Sequence, residues 1–185
     1  MRQVQADFIR RLLSETRGAE IAEAAAVLPL MFMILLGIFW FGQAFSMYGA
    51  ITRAAQEGAR AGSVPYCASC GGSQDTLTQY ATNASTAVNN ALTASKLDPL
   101  QASYPSPEPS YNSCSSAAVT CTAGGSTNYC VQIPIQLATS EVGGTGPCGI
   151  SVSFRYPFTF WLPLTSLNKK PIWMTAYARM RLESR

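Results

Sequence analysis

Arg17-Gly18-Ala19-Glu20-Ile21-Ala22-Glu23-Ala24-Ala25-Ala26-Val27-Leu28-Pro29 joins a basic leader to a long apolar run. No residue between Ala24 and Thr52 is charged, an interval longer than the roughly 20 residues that carry a helix across a bilayer. A charge near the centre of a membrane helix costs about 2.5–3.5 kcal/mol and less at the interface. Glu23, at the mouth of the run, is therefore tolerable there and gains from a counter-charge. Arg2, Arg10, Arg11 and Arg17 precede the run, while Arg53 and Arg60 are the next cations after it. That asymmetry predicts a cytoplasmic N-terminus and an exported C-terminal body.

The run reads as a retained anchor rather than a removable signal. A secretory signal has an apolar core of about 7–15 residues, whereas here apolar character persists from Ala24 to Phe45, broken only by Gly37, Gly42 and Gln43. The A-x-A-like triplet Ala59-Arg60-Ala61 lies well past it. Pro29 falls where membrane helices tolerate a proline. Trp40, Phe41, Phe45 and Tyr48 cluster at the outer end like an interfacial aromatic belt. Beyond the membrane, Ala44, Tyr48, Ile51, Ala55 and Ala59 recur at helical spacing with Arg53, Gln56, Glu57 and Arg60 on the other side. One helix from about Ala19 to Ala61 is expected, ended by Gly62 and Pro65.

The cysteines agree with export. All six, Cys67, Cys70, Cys114, Cys121, Cys130 and Cys148, lie beyond the apolar run, on the side where disulfides persist. Hairpin geometry suggests Cys130–Cys148 and Cys114–Cys121, leaving Cys67–Cys70. An all-cysteine zinc site is the alternative, because the chain has no histidine to share one. The missing histidine also removes the commonest general base. The acids beyond Gly62 are scattered, the glycine pairs show no phosphate-loop pattern, and Cys67-x-x-Cys70 lacks a βαβ setting. No enzyme and no cofactor are expected. With 13 basic against 10 acidic residues, the charge excess does not argue for nucleic acid.

The expected body is small and α+β. From Ser73 to Leu97 the residues Leu77, Tyr80 or Ala81, Ala84, Val88, Ala91 and Leu92 form one helical stripe, with Ser73 as N-cap, Asp75 in the first turn and Pro99 closing it. Ala102 to Gly125 is Ser- and Pro-rich and reads as a tethered loop, with short strands near Leu100–Tyr104 and Ala118–Thr122. Three alternating segments follow: Tyr129 to Leu137, Gly149 to Phe158 and Ile172 to Leu182. Val131, Ile133, Ile135 and Leu137 are expected on one face of the first, with Pro134 marking an edge strand. One sheet face should meet the helices and the other water. Phe158, Phe160, Trp161 and Leu162 form an aromatic link, expected to fold over the end of the core.

The chain resembles a TadE-like minor pilin, a pseudopilin of tight-adherence (Flp-type, type IV) pilus systems. The resemblance is carried by Arg17-Gly18-Ala19 through Glu23, by Ala26-Val27-Leu28-Pro29-Leu30, Leu36-Gly37-Ile38 and Phe41-Gly42-Gln43-Ala44-Phe45, and by Ala54 to Gly62. A fainter echo returns in Val152 to Phe158 and Ala176 to Glu183. At Ala24 the chain departs from the pattern, which usually has an aromatic residue there. The resemblance implies a cytoplasmic prepilin leader over 1–18, cleaved by a prepilin peptidase between Gly18 and Ala19. A transmembrane and amphipathic helix then covers 19–62, its membrane part about 24–45, followed by an exported pilin-like domain over 63–185. It also implies that Glu23 meets the N-terminal amine of a neighbouring subunit on assembly. The implied partners are prepilin peptidase, other pilin or pseudopilin subunits, the inner-membrane assembly platform and membrane lipid, with no metal. The expected whole is a long N-terminal helix continuing into a second helix packed on an antiparallel sheet of about 3–5 strands, stapled by disulfides. A membrane-tethered binding module that never enters a filament, and a redox protein using Cys67 and Cys70, are the competing readings.

Overall fold

The computed structural model describes residues 16–64, 77–114, 121, 128–137, 146–159 and 170–183. The chain divides into two compact units, Met1–Gln43 and Ala44–Arg185. Helix α1, Thr16–Ser63, runs through Pro29 without ending and contributes to both. It starts three residues earlier than the sequence suggests and ends two later. In the first unit its large apolar side chains are mostly exposed: Ile21, Met33 and Ile38 are each at least 65% exposed. Among the described residues Glu20–Ser63 is the one helix long and apolar enough to cross a membrane.

The second unit begins with the last part of α1, where the exposed surface gives way to a small-residue face. Ile51, Ala54, Ala55 and Ala59 are fully buried. Helix α2, Leu77–Ala94, buries Ala81, Ala84, Ser85, Val88 and Leu92, most of the stripe expected from its spacing, with Ala91 half-buried and Leu77 exposed; Ser73 and Asp75 fall outside the described residues. Two glycines of α1 set how closely these elements meet. A β-carbon on Gly58 would strike Val88 Cγ2 and stand 3.1 Å from the Ala84 carbonyl oxygen. One on Gly62 would stand 2.6 Å from Ile150 Cδ1, 3.0 Å from Ala84 Cβ and 3.1 Å from the Tyr80 carbonyl oxygen. α1 thus backs directly onto α2 and the sheet.

Pro99 does not end α2. The helix stops at Ala94 because Lys96 takes a left-handed φ of 59°. The Leu97 N–H then bonds the Leu92 carbonyl and the Lys96 N–H bonds Thr93, a Schellman turn. Pro99 instead opens a single 3-10 turn, Pro99–Gln101, capped by Asp98, whose side chain accepts the Leu100 N–H.

The sheet is antiparallel in the order β1-β2-β3, with β1 Cys130–Gln136, β2 Cys148–Phe158 and β3 Ile172–Arg181. Ile150, Val152, Phe154 and Tyr156 project toward the helices with Val131, Ile133, Ala176 and Ala178. Ile135 does not join them. The register shifts between Gln132 and Ile135, around Pro134, which has no N–H for the ladder. An extra residue in a pleated strand reverses every side chain after it, so Ile135 pairs with Gly149 and is buried outside the main core.

The face turned from the helices is not open to water along β1 and β2, contrary to expectation. Gln132, Ser151 and Ser153 are all buried there. The segment 103–114 straps across instead of forming a strand at Leu100–Tyr104. Ser103 exchanges both backbone hydrogen bonds with Arg155, each 2.9 Å, where β2 outruns β1. Further along, the Gln136 N–H donates to the Asn112 carbonyl (2.7 Å), and Gln132 Nε2 donates to the Pro109 carbonyl (2.8 Å). Two disulfides fasten the same region: Cys114–Cys148 and Cys121–Cys130, with Cα separations of 5.8 and 4.8 Å. The pairing expected from hairpin geometry, Cys114–Cys121 with Cys130–Cys148, is therefore wrong. Cys148 opens β2 opposite Gln136 at the strap's end, whereas Cys130 pairs with Ser153, so the two ladder positions are far apart. Cys67, Cys70, the proposed strand at Ala118–Thr122 apart from Cys121, and Phe160-Trp161-Leu162 lie outside the described residues. Phe158, at the end of β2, is buried.

Tyr129 closes the core beside the strap. Its ring stands edge-on to Phe154 at 5.4 Å, and its hydroxyl donates to Asn89 Oδ1 at 2.6 Å. Burial, reinforced by Tyr156 and Asp98, pushes its hydroxyl up to about 12.

Two outcomes follow from this packing. Gly58→Ala should lower stability by about 1–3 kcal/mol through overpacking, despite the roughly 1 kcal/mol that alanine gains in helix propensity. Gly49→Ala, where an added β-carbon meets nothing within 4 Å, should be neutral or stabilising; thermal midpoints of the pair read the difference. The second outcome concerns pH. Because the folded state holds the Tyr129 proton more tightly than the unfolded chain does, its contribution is complete below pH ~10 and is lost as pH rises toward about 12. Urea midpoints should fall across that window, and Tyr129→Phe should flatten the decline.

Candidate functional site

The sequence-derived site residues stand at the start of α1. Gly18 lies inside the helix, exposed, with nothing within 4 Å of where a β-carbon would be. Ala19 follows in the same helix. Glu20 and Glu23, one turn apart, are both exposed, as is every described residue from Glu20 to Phe39. Ala19 and Glu23 are four apart, so one helical turn separates their backbones. The described residues offer an exposed apolar helix with the carboxylates of Glu20 and Glu23 near one end.

The four described cysteines are all consumed by disulfides. The carboxylate of Glu108 comes within 4.8 Å of the sulfurs of Cys121 and Cys130. Those sulfurs are bonded to each other and not free to ligate a metal, and Glu108 Oε1 instead accepts the Cys121 N–H at 3.2 Å. The carboxylate therefore serves to hold the disulfide loop.

Two features of the second unit escaped the sequence reading. Gly58 read as an ordinary member of a helix face and Gly62 as a helix terminator, yet both lie inside α1 and set its close approach to α2 and the sheet. The aromatic and cationic pairs on the outer sheet face were also missed. The Arg155 guanidinium lies 4.7 Å from the Trp173 ring centroid and that of Arg179 lies 5.6 Å from Tyr111. The register of β2 and β3 brings Arg155 to Trp173, and the path of the strap brings Tyr111 to Arg179.

The start of the helix is the part of the chain with recognisable kin. A family model described as TadE-like protein matches residues 18–60. Over these residues the helix is similar to that of TadE-like proteins. The match begins at Gly18, passes Glu23 and ends at Arg60, so the TadE-like region covers both the exposed apolar rod and the small-residue face that enters the second unit. No curated protein matches the chain, and no solved structure does. The helix is compatible with a single-pass membrane protein, and the match makes residues 18–60 similar to proteins of tight-adherence pilus systems.

Non-reducing peptide mapping checks the disulfide geometry directly. Crosslinked peptides should join Cys114 to Cys148 and Cys121 to Cys130, and recovery of Cys114–Cys121 would contradict the strap described above.

Proposed function

We propose that this chain is a minor pilin or pseudopilin, cut between Gly18 and Ala19 by a prepilin peptidase and taking part in assembly of a tight-adherence pilus. The observation that carries this reading is the coincidence of three boundaries: the family match starts at Gly18, the unbroken helix runs on from there, and Glu23 sits five residues later. In the reading, the four leader arginines keep the N-terminus in the cytoplasm and the second unit stands outside the inner membrane. Cutting after Gly18 leaves the helix whole and creates a new α-amine at Ala19. A carboxylate facing hydrocarbon is costly when alone, and a freshly exposed amine is its natural counter-charge. The amine of the same chain is one turn away; that of a neighbour becomes available when subunits stack, which couples neutralisation to assembly. The role is structural, without catalysis or a cofactor.

The test is mass analysis of the protein from native membranes and from purified pili. The mature chain should lack Met1–Gly18. Gly18→Val should keep the full-length mass and abolish incorporation. Glu23→Ala should still be cleaved yet reduce surface piliation by about tenfold or more, the loss expected when about 1.4 kcal/mol of pairing energy disappears. Full-length protein in membranes with normal piliation in both variants would instead support a tethered module outside the filament.

A further inference from the structure

The outer face of β2 and β3 carries a surface that the assembly reading does not use. The register pairs Arg155 with Thr175, Ser153 with Tyr177 and Ser151 with Arg179, and places Trp173 beside Pro157. Alternation puts these on the side away from Val152 and Ile150, which face α1. Trp173 is 45% exposed and Tyr177 60%. Thr175, Arg179 and Arg181 on the same face of β3 are also exposed. None of these strand residues is acidic, and none on β3 is aliphatic. Arg155 and Arg179 stack on rings, and among the described residues Arg155 Nε is buried without a hydrogen-bond partner.

We propose that this face binds an anionic polysaccharide, a linear chain of carboxylate-bearing sugars. A pyranose ring presents C–H groups on its faces and polar groups around its rim. Its face suits an exposed aromatic ring, and its carboxylate suits a guanidinium, which binds oxyanions in a bidentate fork. Trp173 and Tyr177 stand about 13 Å apart along an extended strand, so a polymer lying along β3 passes both rings with Arg155 and Arg179 alongside. Guanidiniums already held over rings lose little further freedom on binding. A protein partner fits less well, because the face offers no aliphatic residue on β3 to fill an interface core. An anionic bilayer fits less well too, since Trp173 and Tyr177 have no aliphatic side chain beside them on this face of β3 to insert below the headgroups with them. The proposal does not rest on the pilus reading: binding is a property of the second unit whether or not the leader is removed.

The experiment uses the full chain in phosphatidylcholine nanodiscs, with polygalacturonate as probe. Neutral dextran, poly-L-glutamate and phosphatidylglycerol vesicles serve as competitors. Polygalacturonate should bind, weaken with added salt, and outcompete poly-L-glutamate and the vesicles, while dextran should not compete. Tyr177→Ala and Arg179→Ala should each weaken binding by about tenfold with an unchanged thermal midpoint, and Tyr177→Phe should retain it. Tyr177 is well exposed, so its replacement does not endanger folding. No binding of polygalacturonate, equal binding of poly-L-glutamate, preference for the vesicles, or indifference to Tyr177→Ala would each overturn the proposal.

Discussion

The close approach of α1 to α2 and β2 at Gly58 and Gly62 is the constraint on which the second unit depends. A side chain at either position meets backbone carbonyls as well as side chains, and backbone cannot swing aside as a long side chain can. The absence of two β-carbons lets Val152 and Ile150 reach the helix and brings Ala84 directly against it. The neighbouring residues Ala54, Ala55 and Ala59 repeat the same economy of volume. Dispersion contacts are individually weak and sum only when surfaces meet without gaps, so this small-residue face brings close contact where bulkier side chains would hold the helices apart. The same helix shows another surface in its earlier half, where large apolar residues are exposed along its length. One element thus carries a surface suited to lipid and another suited to tight protein packing.

The sheet is held from its other side by the strap over 103–114. Its two ends hang on the ladder at Arg155 and at Gln136, and Cys114–Cys148 ties its far end to the start of β2. Beneath it, Gln132 Oε1, Ser151 Oγ and Ser153 Oγ are buried with no partner among the described residues, a polar setting of the kind internal waters occupy. Along β3 the face carries the exposed Trp173, Tyr177 and Arg179, the last stacked on Tyr111 of the strap. Disulfides suit this arrangement, because a chain segment rich in proline and serine has little apolar surface of its own to bury.

The TadE-like match and the tertiary structure speak to different parts of the chain. The match covers 18–60 and says what this helix is similar to. The outer face of the sheet lies wholly outside the match and is described by geometry alone. In the proposed account the helix would serve assembly, and the distal sheet would be free to meet something else. That division follows from the chemistry on each part: apolar and featureless on the rod, cationic and aromatic on the sheet.

The amino-acid sequence by itself determined the elements whose signal is local and periodic. An uncharged run longer than a bilayer needs could only be a long apolar helix, and the stripe from Leu77 to Leu92 and the alternation in three later segments placed the second helix and each strand within a few residues. The candidate site, Gly18 with Ala19 and Glu23, is likewise a reading of spacing along one helix, and it stands as part of the proposal above. Tertiary structure alone decided the rest. The disulfide partners followed from which ladder positions the strap reached, not from proximity in sequence. The burial of Ser151 and Ser153 depended on a proline-rich segment whose path no local pattern encodes. Ile135 changed face because Pro134 broke the pleat's parity, a two-for-one mismatch that exists only between paired strands. Gly58 and Gly62 became decisive only when α2 and β2 arrived against them, since the need for an absent side chain is set by the neighbour and not by the residue itself.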